Sequence, residues 1–270
     1  MKRGISLRII LRIMVLLFTT GVIVSGQRGI AANSFESSKY YSEALNDIKR
    51  GDWGGAVKML RKEIEVYPKN VQAYLKLGEV MLYLASEGYD EFDYDRPTIG
   101  QKVIELYEKG IKNNPDEGAI FYREMANIYD YRIYDNKSLI GCLEKIVEKY
   151  PKSPQAIDSL EALKRYYVNF NEECKKAIDE FQKIVNEYKQ KGEPTDEFER
   201  AIKYRKEWLK ENMEAKTGQI LLEGIKTVFF DQGKYKEAKD WYDDLAKIAK
   251  DTDLRNKAYS GSEESLQKLK

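Results

Sequence analysis

The stretch GDWGGAVKMLRKEIEVYPKNVQAYLKLGEVM, residues 51–81, decides the fold of this chain. Ala56 and Leu60 lie one helical turn apart, and Pro68 ends the segment that carries them. A second helical pattern then begins with residues at helical spacing, Tyr74, Leu77, Gly78 and Met81. Small residues are needed where two helices cross closely, and bulky ones fill the space beside the crossing. The stretch therefore predicts packed helices joined by short turns.

This spacing resembles the tetratricopeptide repeat, a helix-turn-helix unit of about 34 residues with the pattern W-x2-L-G-x2-Y, A-x3-F and P. Such a unit cannot bury its apolar face alone, so the resemblance implies an all-α helix-turn-helix repeat solenoid. We expect about five helix pairs plus a terminal helix. Residues 33–192 are predicted to form repeats 1–4, and residues 193–270 are predicted to form divergent C-terminal helices that end in a polar capping helix.

The fourth repeat is predicted as two helices. The first covers residues 154–170, and the second carries the A-x3-F pattern with Ala177 and Phe181. Later helices are expected from residue 195 to about 215 and from 218 to 230, followed by a turn at residues 231–234. Asn114 and Ser153 each precede a proline and are predicted to cap a helix there. The stretch YPKSPQAIDSLEAL, residues 150–163, also resembles repeats of exported bacterial proteins.

The second repeat is longer than the pattern by about 13 residues, and the surplus is EGYDEFDYDRP, residues 87–97. Its acidic residues, Asp90, Glu91, Asp93 and Asp95, lack the glycine and the distal glutamate of an EF-hand loop. A solvated loop is the favoured interpretation, with a docking surface for a basic partner and a metal site as alternatives. Thr98 and Gln101 then predict a capping box that restarts the helix.

The N-terminal residues 1–32 have the features of an export segment. Basic residues but no acidic ones precede Glu36, and an apolar run of 12 residues, IMVLLFTTGVIV, begins at Ile13. This run suits a signal peptide and is shorter than the roughly 20 residues that span a bilayer. Gly29 and Ala31 provide small residues for cleavage, and a retained signal anchor is the alternative. The rest of the chain has 41 basic and 45 acidic residues, which argues against nucleic-acid binding.

Composition argues against catalysis. The chain has no histidine, which removes the commonest general base and the commonest zinc ligand. The glycine-rich segment 51–58 lacks the spacing of a phosphate-binding loop. An exported protein could join Cys142 to Cys174, but their apolar helical surroundings favour two buried thiols. We therefore predict no catalytic residue, no metal and no cofactor.

The chain contains 20 tyrosines, most of them at repeat positions, where packing is the plain interpretation. In the resembled family the first helix of each repeat lines a concave groove. The positions that correspond to it are the predicted partner-binding residues, Tyr41, Glu79, Tyr83, Tyr122, Tyr129, Arg165 and Tyr166.

Together these features favour an exported, non-catalytic scaffold or adaptor that binds a protein or peptide in a cell-envelope complex. The expected location is periplasmic or extracellular, with membrane contact only through the N-terminal segment. The alternative is a structural subunit of a larger membrane assembly, held by an uncleaved N-terminal transmembrane helix.

Overall fold

A computed structural model describes residues 38–87, 96–211 and 213–270. These residues form eleven α-helices and no strand, and they belong to one compact unit, Ser37–Lys270. The helices are α1 Lys39–Arg50, α2 Trp53–Val66, α3 Val71–Glu87, α4 Arg96–Asn113, α5 Gly118–Ile128, α6 Asn136–Lys149, α7 Pro154–Lys191, α8 Asp196–Lys210, α9 Met213–Val228, α10 Tyr235–Ile248 and α11 Thr252–Lys268. Consecutive helices pack against each other, which confirms the predicted all-α helical-repeat class.

The first hairpin, α1 and α2, has the turn that its sequence predicts. Gly51 adopts a left-handed conformation with φ 76°, and its N–H donates to the Ile48 carbonyl at 3.1 Å. A side chain is strained in this conformation, whereas glycine is not. The Asp52 carboxylate then accepts from the Gly55 N–H at 2.9 Å and caps α2. Ala56 is fully buried in this hairpin, as the repeat spacing predicts.

The second hairpin, α3 and α4, shows why a small residue is needed at position 78. A Cβ added to Gly78 would lie 2.2 Å from the hydroxyl oxygen of Tyr107, so the ring of α4 rests on the backbone of α3. Tyr107 is itself buried between the two helices. Helix α4 begins at Arg96, two residues before the predicted capping box. Residues 88–95, which include the acidic cluster, lie outside the described residues.

The third hairpin, α5 and α6, differs from the prediction at its start. Asn114 does not cap a helix, because its side-chain amide donates to the carbonyls of Gly110 and Pro68 at 3.1 and 3.3 Å. A short 3-10 turn, Pro115–Glu117, leads into α5 instead. At the far end α5 continues into a π-helical turn, Tyr129–Ile133, and Asp135 then caps α6 by accepting from the Ser138 N–H at 3.1 Å.

The fourth predicted pair is wrong, because residues 154–191 form the single continuous helix α7 of 38 residues. The sequence from 155 to 191 contains neither glycine nor proline, so nothing interrupts the helix between the two predicted members. The helix begins at Pro154 without a side-chain cap from Ser153, whose hydroxyl is buried and unbonded. It ends at Gly192, which has φ 72°, and α8 then folds back along its C-terminal half.

Helix α9 packs against the N-terminal half of α7 and against α6, where the second helix of the fourth pair was expected. The Thr227 hydroxyl donates to the Val147 carbonyl at 2.9 Å, and a Cβ on Gly224 would lie 2.7 Å from Leu160. The predicted boundaries near 215 and 218 are wrong: α8 ends at Lys210 and α9 begins at Met213. The earlier break lets both Trp208 and Met213 reach the core, where each is buried.

The predicted turn after residue 230 and the terminal helix are both present. Gly233 has φ 73° and leads into α10, and α11 closes the described chain. Cys142 and Cys174 are unbonded and buried, which confirms the favoured interpretation of two inert thiols. Among the helices that the structure describes, there is no candidate for a membrane-spanning segment. The predicted export segment 1–32 lies outside the described residues.

Candidate protein-binding surface

The first helices of the hairpins carry a surface strip that contains four of the predicted residues. Its exposed members, which we call the first-helix surface, come from α3, from α5 with its π turn, and from α7: Glu79, Tyr83, Asn127, Tyr131 and Arg165. Glu79 and Tyr83 are one turn apart on α3, and Asn127 and Tyr131 have the same spacing on α5 and its π turn. Tyr41 is half-buried at the edge of this strip.

Electrostatic coupling shows that side chains from three helices approach each other here. Burial raises the pKa of Glu124, and the Glu79 charge raises it further, while Asn127 and Arg123 oppose the shift. Burial also raises the pKa of the Tyr41 hydroxyl, and the Glu79 charge again contributes to the increase. Glu79 therefore links α1, α3 and α5 at one place. Its own carboxylate contacts the Lys76 ammonium at 2.5 Å.

Tyr83 and Tyr131 are the large rings that this surface displays. Tyr83 is 40% exposed, and its ring centroid lies 4.5 Å from that of Trp53 in a tilted arrangement. Tyr131 is 49% exposed, beside the charges of Asp130 and Arg165. A ring held by a neighbouring ring offers contact area to a partner at low cost in conformational entropy. Tyr83 is therefore suited to anchoring a partner, and Tyr131 offers an exposed ring beside charged groups.

Tyr122 and Tyr129 lie elsewhere, between α5 and α6. The ring of Tyr122 has its centroid 6.2 Å from that of Tyr150, and the Lys145 ammonium lies 5.1 Å from the Tyr122 centroid. Burial raises the pKa of Tyr129 to about 12, with Cys142 on α6 as the next contributor. Both side chains are half-buried. The structure thus separates these two residues from the first-helix surface.

Tyr166 is only 4% exposed, so it belongs to the core and does not line a surface. Its ring centroid lies 6.1 Å from that of Trp208 on α8. The Tyr166 hydroxyl bonds to Asp130, and burial raises the pKa of both groups. The neighbouring Arg165 is exposed, and its positive charge partly offsets the increase that burial causes in the pKa of Asp130. The sequence resemblance placed both residues on the groove, but only Arg165 is exposed, and its guanidinium lies 5.3 Å from the centroid of the buried Tyr166 ring.

Sequence reasoning missed Glu124, Asn127 and Tyr131. Phe121, Met125 and Ile128 form the buried side of α5. Glu124 flanks that side and the exposed Asn127 lies beyond it, so helical periodicity could have identified both. Tyr131 could not, because it depends on the π turn that extends α5 beyond Ile128.

The described residues offer little for chemistry or cofactor binding. They contain no group of three or more metal-binding side chains. An open cleft of about 330 Å³ lies between α9, α10 and α11, and a depression of about 400 Å³ lies on α2 beside Lys58 and Arg61. Neither includes a residue of the first-helix surface. What the surface presents is exposed rings and charges on rigid helices, which suits recognition of another macromolecule.

Comparisons with known proteins do not assign a family. No protein-family model and no curated protein matches the chain. Solved structures that are similar to it include two described as crystal structures of MamA. One is 15% identical with a TM-score of 0.31, and the match covers 85% of this chain and 89% of that one. The other is 16% identical with a TM-score of 0.30, covering 84% and 94%. Because these TM-scores are low, the fold rests on the helix packing described above.

Proposed function

We propose that this protein is an exported, non-catalytic scaffold that binds a protein or peptide partner in a cell-envelope complex. Binding occurs on the first-helix surface. The observation that carries the proposal is the pair of exposed rings, Tyr83 and Tyr131, each one helical turn after an exposed polar residue, Glu79 and Asn127. Interface energy concentrates in a few anchors of this type, surrounded by polar contacts.

The helical framework supports such a role because it holds the strip in place before binding. Gly78 and Tyr107 fix the crossing of α3 and α4, and Phe121 on α5 packs against Tyr107 with centroids 5.8 Å apart. A surface that is already ordered loses little conformational entropy when a partner binds. The packed helices therefore hold the surface side chains in position, and the exposed rings and charges make the contacts with the partner.

Site-specific photo-crosslinking tests this proposal. A photoreactive phenylalanine analogue is placed at Tyr83 or at Tyr131 and irradiated in a native cell-envelope extract. The matched controls carry it at Glu65 on α2 or at Lys109 on α4, which are also exposed. We expect the same partner adduct from positions 83 and 131 and none from the controls. Adducts of equal yield from all four positions, or from none, would contradict a binding role for this surface.

The export part of the proposal rests on the sequence of residues 1–32 and has its own test. Mass spectrometry of the protein isolated from its native source identifies its first residue. A start at Ala32 or Asn33 supports export with cleavage. An intact Met1 in membrane fractions would instead support the anchored alternative, without affecting the role of the first-helix surface.

A further inference from the structure

Helix α11 has a buried side and an exposed side that is partly apolar. Leu254 and Ala258 lie on the buried side, which packs against the rest of the fold. Tyr259, however, is 51% exposed and Leu266 is 41% exposed. With Leu269 at the C-terminus, α11 and its end account for three of the eight large apolar side chains exposed in the described chain.

The exposed residues of α11 form an ordered strip. Leu266 lies seven residues after Tyr259, which places both on the same side of the helix, about 10 Å apart. Arg255 lies four residues before Tyr259 and Glu263 four residues after it, each about 40° from the direction of the ring. Along the helix the strip therefore presents, in order, a cation, an aromatic ring, an anion and an aliphatic side chain.

The charges of this strip have capacity for a further partner. Glu263 is exposed, and the nearby Lys257 contacts Asp253 at 2.6 Å instead of Glu263. Arg255 donates one hydrogen bond to the Ala249 carbonyl at 2.6 Å. A guanidinium has five N–H donors, so this bond leaves others for a carboxylate. The strip thus combines apolar area with one charge of each sign, placed symmetrically about Tyr259.

We infer that this strip is a homodimer interface and that its partner is a second copy of the same chain, with the two α11 helices packed antiparallel about a two-fold axis at Tyr259. In a two-fold interface residue i contacts residue j of the other copy, and j contacts i. Arg255 then faces the second copy's Glu263, and Glu263 faces the second copy's Arg255. Parallel packing would place like charges opposite each other, so the charge order selects the antiparallel arrangement.

The first test is the association state of the full chain, measured by sedimentation equilibrium from micromolar to submillimolar concentration. We expect a monomer–dimer equilibrium. Changing Tyr259→Ser should weaken association by about tenfold or more, because the two Tyr259 rings meet on the two-fold axis and both leave the contact. The matched control, Tyr131→Ser, removes a ring of similar exposure from another surface and should leave association unchanged. A chain that stays monomeric throughout would overturn the proposal.

A charge exchange tests the antiparallel arrangement itself. Glu263→Arg makes the strip wholly basic, and Arg255→Glu makes it wholly acidic. Each variant alone should dimerise about threefold to tenfold more weakly, since two exposed ion pairs become repulsive. An equimolar mixture of the two should form heterodimers, and a chain with both changes should dimerise like the original. Thermal melts check that every variant is folded. Failure of both the mixture and the doubly changed chain to recover association would refute this geometry.

Discussion

Two regions of the chain have similar amphipathic sequences: the segment from Lys39 to Lys149, and the long helix α7. The first region reverses direction at repeat spacing and forms three hairpins, whereas α7 does not reverse direction at all. Gly51 and Asp52 stop one helix and start the next in the first hairpin, and Asp135 starts α6 in the third. Between residues 155 and 191 there is neither glycine nor proline, and the helix continues for 38 residues. The A-x3-F spacing at Ala177 is therefore a repeat-like pattern without a repeat. Turn residues, more than the spacing of apolar ones, decide where a hairpin forms.

The largest expected difference in stability is between alanine substitutions of two tyrosines, one from each region. Tyr166→Ala on α7 should lower the free energy of unfolding by about 3–5 kcal/mol, because the ring is buried against Trp208. Tyr83→Ala on α3 should cost about 1 kcal/mol or less, since the ring is 40% exposed. Chemical denaturation measures both values. Equal costs would show that the burial of these two side chains is not as described.

A proline in the middle of α7 should have the next largest effect. Glu172→Pro removes a backbone hydrogen bond and introduces a clash with the preceding turn, which costs about 3 kcal/mol or more inside a helix. Glu172→Ala is the matched control, because it removes only the exposed contact with Lys175 at 2.9 Å. Urea denaturation of the two variants gives the difference. If proline were tolerated, a turn would exist near residue 172, as the repeat spacing alone predicted.

Leucine substitutions at Ala56 and Ala177, the small residues of two similar sequence patterns, should differ in free energy of unfolding by a smaller amount. Ala56→Leu should cost about 1–3 kcal/mol, because Ala56 is completely buried at a helix crossing. Ala177→Leu should cost less than about 0.5 kcal/mol, because Ala177 is only half-buried on α7. Guanidinium denaturation under identical conditions compares them. If the Ala177 substitution cost as much stability as the Ala56 substitution, Ala177 would lie at a close helix crossing, contrary to the structure.

The smallest expected effect is the contribution of the two buried thiols to the pH dependence of stability. Burial raises the pKa of both Cys142 and Cys174 to about 12, so neither is a thiolate near neutral pH in the folded state. Ionisation of the unfolded thiols stabilises the unfolded chain as pH rises above their ordinary pKa near 9. Stability from these groups is thus complete below about pH 9 and declines above it.

Modification by a disulfide reagent at pH 8 reports on local opening in each region. We expect Cys174 to react several times faster than Cys142, because its part of α7 has few buried neighbours and opens more readily. Peptide mapping assigns the modified residue at successive times. Both thiols should react fully in denaturant, which serves as the control. Faster reaction at Cys142 would reverse the proposed order of local stability.

Much of the fold follows from the sequence, because glycine, aspartate and proline mark the ends of helices through local chemistry. Gly51 and Gly233 adopt positive φ after a helical segment, and Asp135 caps α6, all through local contacts. The break after Lys210 is different, since it accompanies a hydrogen bond that Trp208 donates to Asn171 at 2.9 Å, a contact across two helices. The candidate site shows the same contrast. Helical spacing alone puts the exposed residues Glu79 and Tyr83 on one side of α3, whereas the burial of Tyr166 depends on α8, whose return path no local pattern encodes.

The continuity of α7 is the central claim, and one distance tests it most directly. Nitroxide labels are attached after Glu161→Cys and Glu187→Cys, both exposed positions, in a chain whose two native thiols are removed by Cys142→Ala and Cys174→Ala. A continuous helix places residues 161 and 187 about 39 Å apart at 1.5 Å per residue. Pulsed electron resonance should therefore give a narrow distribution centred near that distance. A distribution centred below about 25 Å would mean that the chain reverses direction between the labels, and the account of α7 as one helix would be wrong.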